Sequence, residues 1–166
     1  MIKIIEGNIV DAQTDYIIHQ VNCQGEMNTG VAKALRDYDE GIYIHYRNVC
    51  KLREFNPELL LGTYDEYFIR RKNQGILSLF AQDKYGYDGK QYTDVKVFRE
   101  GLNFIRQQIP VYWFDVDNRP HKTTIALPYK IGCGRGGADW EVVYKIIEEE
   151  LSSFKVELWK LEEQNV

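Results

Sequence analysis

The sequence predicts an α/β domain in which helices cover both faces of a mixed, largely parallel sheet. Short apolar runs alternate along the chain with amphipathic segments of helical period, and this alternation is typical of strand–helix–strand units. Two of the apolar runs are followed by loops that contain several glycines and then by a helical segment. The chain has 166 residues, of which 44% are hydrophobic and 28% are charged. This length and composition fit one domain with one substantial core.

Each element is predicted from its own residues. Strands are expected where short runs of β-forming residues are bounded by turn residues, at residues 2–6, 16–21, 63–69, 75–81, 123–127 and 155–161. The third and fourth strands form a predicted hairpin, because Lys72-Asn73-Gln74-Gly75 lies between them. Helices are expected where apolar residues recur every three or four positions, at residues 31–38, 42–55, 92–108 and 139–151. Residues 110–121 form a connection without a predicted structure.

Charge and cysteine content exclude several classes of protein. The net charge of −4 is spread along the chain, so there is no electrostatic footprint for duplex or sequence-specific nucleic-acid binding. The apolar runs are too short to span a membrane, and Glu6 and Asn8 interrupt the first one, unlike a signal peptide. Cys23, Cys50 and Cys133 are odd in number and widely spaced, which fits neither disulfides nor a zinc site. We expect no metal, no cofactor and a cytoplasmic location, which could equally be the cytoplasm of a host cell.

Two glycine-containing loops carry the functional signal. Loop one (residues 22–30) and loop two (residues 128–137) each lie between an apolar strand and a helix. In open α/β sheets, ligands bind where such loops converge beyond the carboxyl ends of the strands. Glycines let the backbone approach a phosphate closely, and a helix N-terminus offers free N–H donors. Either loop alone could be a simple turn, but the two together predict a phosphate-bearing ligand.

The order of residues differs from that of the familiar nucleotide-binding folds. The sequence contains no GxxxxGK[ST] motif, which excludes a P-loop. No GxGxxG motif follows the first strand, and the Gly132-Cys133-Gly134 segment comes too late in the chain to serve as one. A nicotinamide-dependent oxidoreductase is therefore disfavoured.

Two segments instead resemble the macrodomain family. They are GNIVDAQTDYIIHQVNCQGEMNTGVAKAL at residues 7–35 and LPYKIGCGRGGADWEVV at residues 127–143. Within that family the chain is similar to the branch that contains the terminal ADP-ribose protein glycohydrolase, the DarG antitoxins and the yeast ADP-ribose-1″-phosphate phosphatase. The resemblance extends to the VELWKL strand near the C-terminus. It implies a single three-layer α/β/α macrodomain over residues 1–166, with ADP-ribose or a derivative as ligand.

The resemblance also places binding residues. Asn8 and Ile9 would lie beside the adenine, with Asn8 where most relatives have an acceptor aspartate; otherwise Asn8 is only a turn residue after Gly7. Asn22 would bind the distal ribose, and Gln82 and Tyr85 would line its pocket. The two loops would hold the diphosphate through their backbone N–H groups. These loop residues are Thr29, Gly30, Val31 and Ala32 at the start of the first helix, and Ile131, Gly132, Cys133, Gly134, Arg135 and Gly136 in loop two.

The implied catalytic residues are His19, Asn22 and Asp83, which would position a water at the distal ribose. The alternative for His19 is a hydrogen-bonded core histidine, and for Asp83 a solvated loop acid. Glycohydrolases of this branch use a lysine and an aspartate, and this chain departs from both positions. Lys84 falls one or two residues too late, so on an extended segment it would face the other way, whereas a loop could restore it. Gly136 aligns with the aspartate. Cys133 is expected to pack rather than to react.

Three functions follow from the resemblance. The leading one is a hydrolase that removes phosphate from ADP-ribose-1″-phosphate. The second is removal of ADP-ribose from a modified protein or nucleic acid, which the displaced lysine and the missing aspartate disfavour. The third is a non-enzymatic reader or sink for ADP-ribose.

Overall fold

The computed structural model describes residues 2–86 and 88–161. Its main feature is a six-stranded sheet, and two further strands form a separate short ribbon. The strands of the sheet are β1 (Ile2–Glu6), β2 (Tyr16–Asn22), β3 (Tyr64–Ile69), β4 (Gln74–Gln82), β7 (Thr124–Pro128) and β8 (Lys155–Lys160), and those of the ribbon are β5 (Tyr112–Phe114) and β6 (Pro120–Lys122). The order in the sheet is β1-β8-β7-β2-β4-β3. Every neighbouring pair is parallel except the β3–β4 hairpin, as the sequence predicts.

Helices pack on both faces of the sheet. They are α1 (Gly30–Tyr38), α2 (Glu40–Leu52), α3 (Pro57–Leu60), α4 (Val95–Gln108) and α5 (Trp140–Glu150), with 3-10 turns at Ile9–Asp11 and Arg70–Lys72. Within residues 2–86 and 88–161, no helix is long and apolar enough to cross a membrane.

The helix predicted over residues 42–55 ends three residues earlier in the structure. Helix α2 stops at Leu52, because Glu54 and Phe55 have φ angles of 55° and 53° in the left-handed region. Pro57 then begins α3, where the side chain of Asn56 accepts a hydrogen bond from the N–H of Glu58. Proline suits this first helical position because its missing N–H would be unpaired there anyway.

Alternation along the strands divides the core into two layers. In β2, Ile18 packs with α4 and α5 on one face, whereas Ile17 packs with α1 and α2 on the other. The neighbouring strand β4 repeats this pattern with Leu77 and Ile76. Strands buried on both faces read as continuous apolar runs, and residues 74–80 of β4 are all buried. The predicted three-layer α/β/α architecture is therefore confirmed.

The connection without a predicted structure forms the β5–β6 ribbon. Trp113 and His121 are paired across it, with their rings stacked at a centroid distance of 4.4 Å. The indole N–H of Trp113 donates to the Asp15 carboxylate at 3.2 Å, just before β2 begins. The ribbon therefore lies at the amino edge of the sheet, whereas the carboxyl ends of β2, β4 and β7 meet at the opposite edge.

Candidate functional site

A cleft of about 530 Å³ opens at the carboxyl edge of the sheet. Its walls come from the ends of β2, β4 and β7, from both glycine-containing loops and from the start of α1. The cleft is lined by His19, Gln20, Val21, Asn22, Glu26, Asn28, Thr29, Gly30, Val31, Ala32, Gln82, Tyr85, Gly86, Pro128, Tyr129, Lys130, Ile131, Gly132, Gly134, Arg135 and Gly136. Most of the residues predicted to bind the ligand thus share one cleft.

The N-terminus of α1 points its unpaired donors at this cleft. Thr29 is extended, with φ −148° and ψ 161°, and its side chain makes no capping hydrogen bond. The first N–H in this turn to bond a backbone carbonyl is that of Lys33, which donates to Thr29 at 3.2 Å. Among residues 2–86 and 88–161, no acceptor bonds the N–H groups of Gly30, Val31 and Ala32, which are left for a ligand at the positive end of the helix dipole. This is a site for an anion.

Loop one is held in place by side chains. The side-chain oxygen of Asn22 accepts from the N–H of Gln24 at 3.0 Å, and its amide nitrogen donates to the carbonyl of Glu26 at 3.1 Å. From α2, the Tyr46 hydroxyl donates to the backbone carbonyl of Asn22 at 2.6 Å, and Arg47 donates to the carbonyl of Gly25 at 3.0 Å. The contacts of the Asn22 side chain thus shape the loop. Among the described residues, one N–H of its amide has no acceptor and is left for the predicted contact with the ribose.

Loop two is held by the segment just before α4. The Thr93 hydroxyl donates to the carbonyl of Gly132 at 2.8 Å. The backbone N–H groups of Tyr92 and Thr93 both donate to the carbonyl of Gly136, at 2.8 and 2.9 Å. Within residues 2–86 and 88–161, the N–H groups of Gly134 and Gly136 donate to no acceptor. Loop two therefore directs the carbonyls of Gly132 and Gly136 at residues 92–93. The N–H groups of Gly134 and Gly136 remain beside the cleft.

His19 lies on the cleft wall and is 1% exposed. Its Nε2 atom is 2.8 Å from the Ser78 hydroxyl oxygen on β4, and its buried Nδ1 atom has no partner among the described residues. Burial lowers the pKa of His19 to about 4, because a buried site disfavours the charged form. The imidazole is therefore neutral at physiological pH.

Asp83, which is also predicted to be catalytic, lies outside the lining of the cleft. Its carboxylate accepts from the Gln24 side chain at 3.0 Å, and its carbonyl accepts from the N–H of Cys23 at 3.0 Å. Asp83 thus serves as a support for loop one. Lys84 is exposed and also lies outside the lining, while Tyr85, 47% exposed, reaches it. Of the three residues proposed to position a water, the cleft contains His19 and Asn22.

Three predicted binding residues lie outside the lining. The side-chain oxygen of Asn8 accepts from the N–H of Val10 at 3.2 Å and caps the 3-10 turn, the alternative that the sequence leaves open. Ile9 is buried, and this turn packs against α1. The thiol of Cys133 donates to the carbonyl of Ile131 at 3.4 Å, and burial raises its pKa to about 11. A thiol with this pKa is a poor nucleophile.

Sequence reasoning missed five polar or aromatic residues of the lining: Gln20, Glu26, Asn28, Tyr129 and Lys130. The signal for Gln20 is present in the sequence, since a glutamine in an otherwise apolar buried strand needs hydrogen-bond partners. The other four residues depend on how the loops fold back. Within the described parts of the chain, no cluster of three or more His, Cys, Asp or Glu side chains could hold a metal ion.

Solved structures resemble this fold closely. The macrodomain of Thermus aquaticus DarG has a TM-score of 0.72 and 24% identity, with 98% of both chains covered. The macrodomain of Mycobacterium tuberculosis DarG has a TM-score of 0.73 and 19% identity, over 96% of this chain and 97% of the other. The chain has the macrodomain fold. Thermosipho africanus DarTG, solved in complex with ADP-ribose, has a TM-score of 0.68 and 17% identity over 99% of this chain and 43% of its own.

Of the three comparisons with known proteins, the one with solved structures finds the macrodomain fold. No protein-family model matches the sequence, and no curated protein matches it either. At these identities the likeness establishes the architecture alone. The chemistry of the cleft has to be argued from its own residues.

Proposed function

We propose that the cleft binds ADP-ribose, either free or attached to a macromolecule. The observation that carries the proposal is the pairing of two sets of unused backbone donors around one cleft. Gly30, Val31 and Ala32 supply one set from α1, and loop two supplies the other from Gly134 and Gly136. Donors fixed on both sides suit a diphosphate, and they need no net positive charge on the protein.

The dimensions and lining of the cleft support the same ligand. A volume of about 530 Å³ is typical of pockets that enclose a nucleotide-sized molecule. Tyr129 and Tyr85 offer aromatic rings, and Asn22, Glu26 and Asn28 offer polar groups suited to ribose hydroxyls. The macrodomain fold of DarTG, solved with ADP-ribose, supports the assignment by analogy of fold.

Calorimetry with ADP-ribose and with AMP tests the proposal. ADP-ribose should bind far more tightly, because AMP lacks the second phosphate and the distal ribose. Equal affinity for the two ligands would contradict the proposal, since neither loop would then be reading the diphosphate.

Hydrolysis at the distal ribose, with phosphate release from ADP-ribose-1″-phosphate, is the second candidate. It is favoured by one observation, the presence of the unpaired Nδ1 atom of His19 in a residue of the cleft wall. A general base works best with a pKa near the working pH, whereas that of His19 is lowered to about 4. Binding without efficient turnover is therefore the function that this geometry supports better.

Removal of ADP-ribose from a modified macromolecule receives less support. Lys84 lies outside the cleft lining and Gly136 stands where glycohydrolases of the similar branch have an aspartate. Turnover assays with His19→Ala, Asp83→Ala and Lys84→Ala separate the candidates. Loss of phosphate release in His19→Ala, with affinity retained, would establish the phosphatase. Loss of activity on an ADP-ribosylated substrate in Lys84→Ala alone would establish the glycohydrolase, and unchanged rates in all three would leave a binding module.

A further inference from the structure

A chain of hydrogen bonds runs beneath the cleft and ends on loop two. The amide nitrogen of Gln20 donates to the Thr93 hydroxyl oxygen at 2.7 Å and to the side-chain oxygen of Gln82 at 2.7 Å. Thr93 donates its one hydroxyl proton to the carbonyl of Gly132 at 2.8 Å. Because a hydroxyl has a single proton, the Gln20 amide must be the donor to Thr93, and the direction of the chain is fixed.

Thr93 supports the cleft without touching it. Its side chain is 2% exposed, and the residue is not part of the cleft lining. Gln82 extends the same network by donating to the carbonyl of Lys84 at 2.9 Å, next to Tyr85 in the cleft wall. Changes at Thr93 therefore reach a ligand only through the residues that it holds.

A side-chain support matters in loop two because its glycines can adopt other backbone conformations at little cost. Gly132 and Gly137 have φ angles of 74° and 72°, which glycine adopts without strain but from which it also moves easily. Rotation of the peptide after Gly132 would turn its carbonyl toward the cleft, where an oxygen would repel a phosphate. The carbonyl of Gly132 accepts from the N–H of Ala138 at 3.1 Å and from the Thr93 hydroxyl at 2.8 Å, and these two bonds together oppose the rotation. The backbone of residues 92–93 holds the carbonyl of Gly136.

We propose that Thr93 is a positioning residue for anion binding, which keeps the carbonyl of Gly132 out of the cleft with the help of Gln20. The proposal rests on the proposed function, because the anion is taken to be the diphosphate of ADP-ribose. It adds that affinity depends on a buried hydroxyl that makes no contact with the ligand.

Thr93→Val tests the proposal, because valine keeps the shape of threonine and replaces the hydroxyl with a methyl group that cannot hydrogen-bond. Calorimetry should show an affinity for ADP-ribose that is lower by about tenfold, the size expected from one buried polar contact. Thr93→Ser keeps the hydroxyl and should stay within about twofold of the wild type by the same scale. Equal affinities for all three proteins would overturn the proposal.

Thr14→Val is the matched control. Thr14 is also buried, 4% exposed, and its hydroxyl also donates to one backbone carbonyl, that of Tyr16, at 2.8 Å. It lies at the amino edge of the sheet, away from the cleft. Both valine variants should lose thermal stability, and only Thr93→Val should lose affinity; an equal loss of affinity in the two would mean a general effect of destabilisation.

A measurement without ligand separates this proposal from the proposed function. In ¹H–¹⁵N spectra of the free protein, the amide signals of Gly134 and Gly136 should shift in Thr93→Val and return in Thr93→Ser. If wild type fails to bind ADP-ribose while these signals respond as expected, the choice of ligand is wrong and the positioning role stands. If the signals of all three proteins coincide, Thr93 does not position loop two.

Discussion

Loops one and two present the same kind of donor to the same cleft, yet they are built in different ways. Loop one takes its shape from side chains: the Asn22 amide inside it, and Tyr46 and Arg47 from α2 behind it. Loop two takes its shape largely from the absence of side chains, with glycines that allow close approach to the segment of residues 90–93. A loop held by several side chains loses only part of its support when one of them is changed, whereas a loop of glycines is disrupted where an added side chain would meet neighbouring atoms.

The glycines of loop two are not equivalent. A Cβ atom on Gly134 would meet nothing within 4 Å, whereas one on Gly136 would overlap the Thr93 hydroxyl and the carbonyl of Gly132. Gly134 is thus kept free for the ligand, and Gly136 is required by the fold of the loop itself. Changes at these two positions should separate binding from stability.

The largest effect is expected for Gly134→Glu. The side chain enters open space beside the cleft, so the domain should fold, while its size and negative charge oppose a diphosphate. We expect a loss of ADP-ribose affinity of at least about a hundredfold, which is roughly 3 kcal/mol. Calorimetry measures the loss, and circular dichroism checks the fold.

Gly134→Gln is the control for this change, because it has nearly the same size without the charge. A smaller loss in Gly134→Gln would assign the difference to repulsion between charges. Retained binding in Gly134→Glu would show that loop two is only a turn.

The strand that leads into loop one is expected to add a dependence of stability on pH. His19 has its pKa lowered to about 4 by burial, and its unfolded value is about 6.5. As the pH falls below about 6.5, the unfolded chain takes up a proton that the folded protein refuses until about pH 4. The free energy of unfolding is therefore highest above about pH 6.5 as far as His19 is concerned. Below that pH it declines, by about 2 kcal/mol between pH 7 and pH 5.

Urea unfolding at these two pH values measures this effect. His19→Gln cannot titrate in this range, so its free energy of unfolding should change much less than that of the wild type. An equal change in both proteins would mean that other groups cause the pH dependence. It would also remove the grounds for treating the imidazole as a buried neutral group.

A smaller effect is expected for Gly136→Ala, in the loop that depends on glycine. The added methyl group must displace both the Thr93 hydroxyl and the carbonyl of Gly132, and such overpacking costs about 1–3 kcal/mol. Thermal unfolding should show the loss, with affinity for ADP-ribose reduced as well. Gly134→Ala, whose methyl group meets open space, should unfold at the temperature of the wild type; an equal loss of stability in the two variants would contradict this difference between the two glycines.

The same contrast explains what the sequence could predict. The strands, the sheet with its one antiparallel hairpin and both loops were predictable, because apolar periodicity and glycine-rich breaks are local signals. The glycine-rich signal therefore predicts most residues of loop two together. Tyr46 and Arg47 of α2, which support loop one, are not predictable in this way, because they lie more than 20 residues after Asn22 and no local pattern connects them to it.

Orientation was the harder part of the site. His19 could be placed in a buried strand from sequence, but its bond to Ser78 depends on the register between β2 and β4. The placement of Asp83 against Gln24 depends on how the chain turns after β4. Thr93 was visible only as part of a helix start, and its contact with Gly132 spans 39 residues. Pairings over such distances follow from the tertiary fold and leave no pattern in a single sequence.

The smallest effect is expected for Tyr46→Phe, which tests the construction of loop one. Tyr46 is fully buried, and its hydroxyl donates to the backbone carbonyl of Asn22 at 2.6 Å and lies 2.9 Å from the side-chain oxygen of the same residue. Removing the hydroxyl leaves a buried carbonyl unpaired, at a cost of about 1–2 kcal/mol in unfolding free energy. Because Asn22 also fixes Gln24 and Glu26, affinity for ADP-ribose should fall by only about twofold to fivefold, the loss being shared among several contacts.

Tyr67→Phe is the control for this change. Its hydroxyl makes a long bond of 3.5 Å to Asp39, at the junction of α1 and α2, so neither stability nor affinity should change measurably. Urea unfolding and calorimetry on both variants give the two quantities. A loss of affinity in Tyr46→Phe as large as that in Gly134→Glu would contradict the comparison, since loop one would then depend on a single contact. Unchanged stability would show instead that the remaining contacts of Asn22 hold loop one without the support of α2.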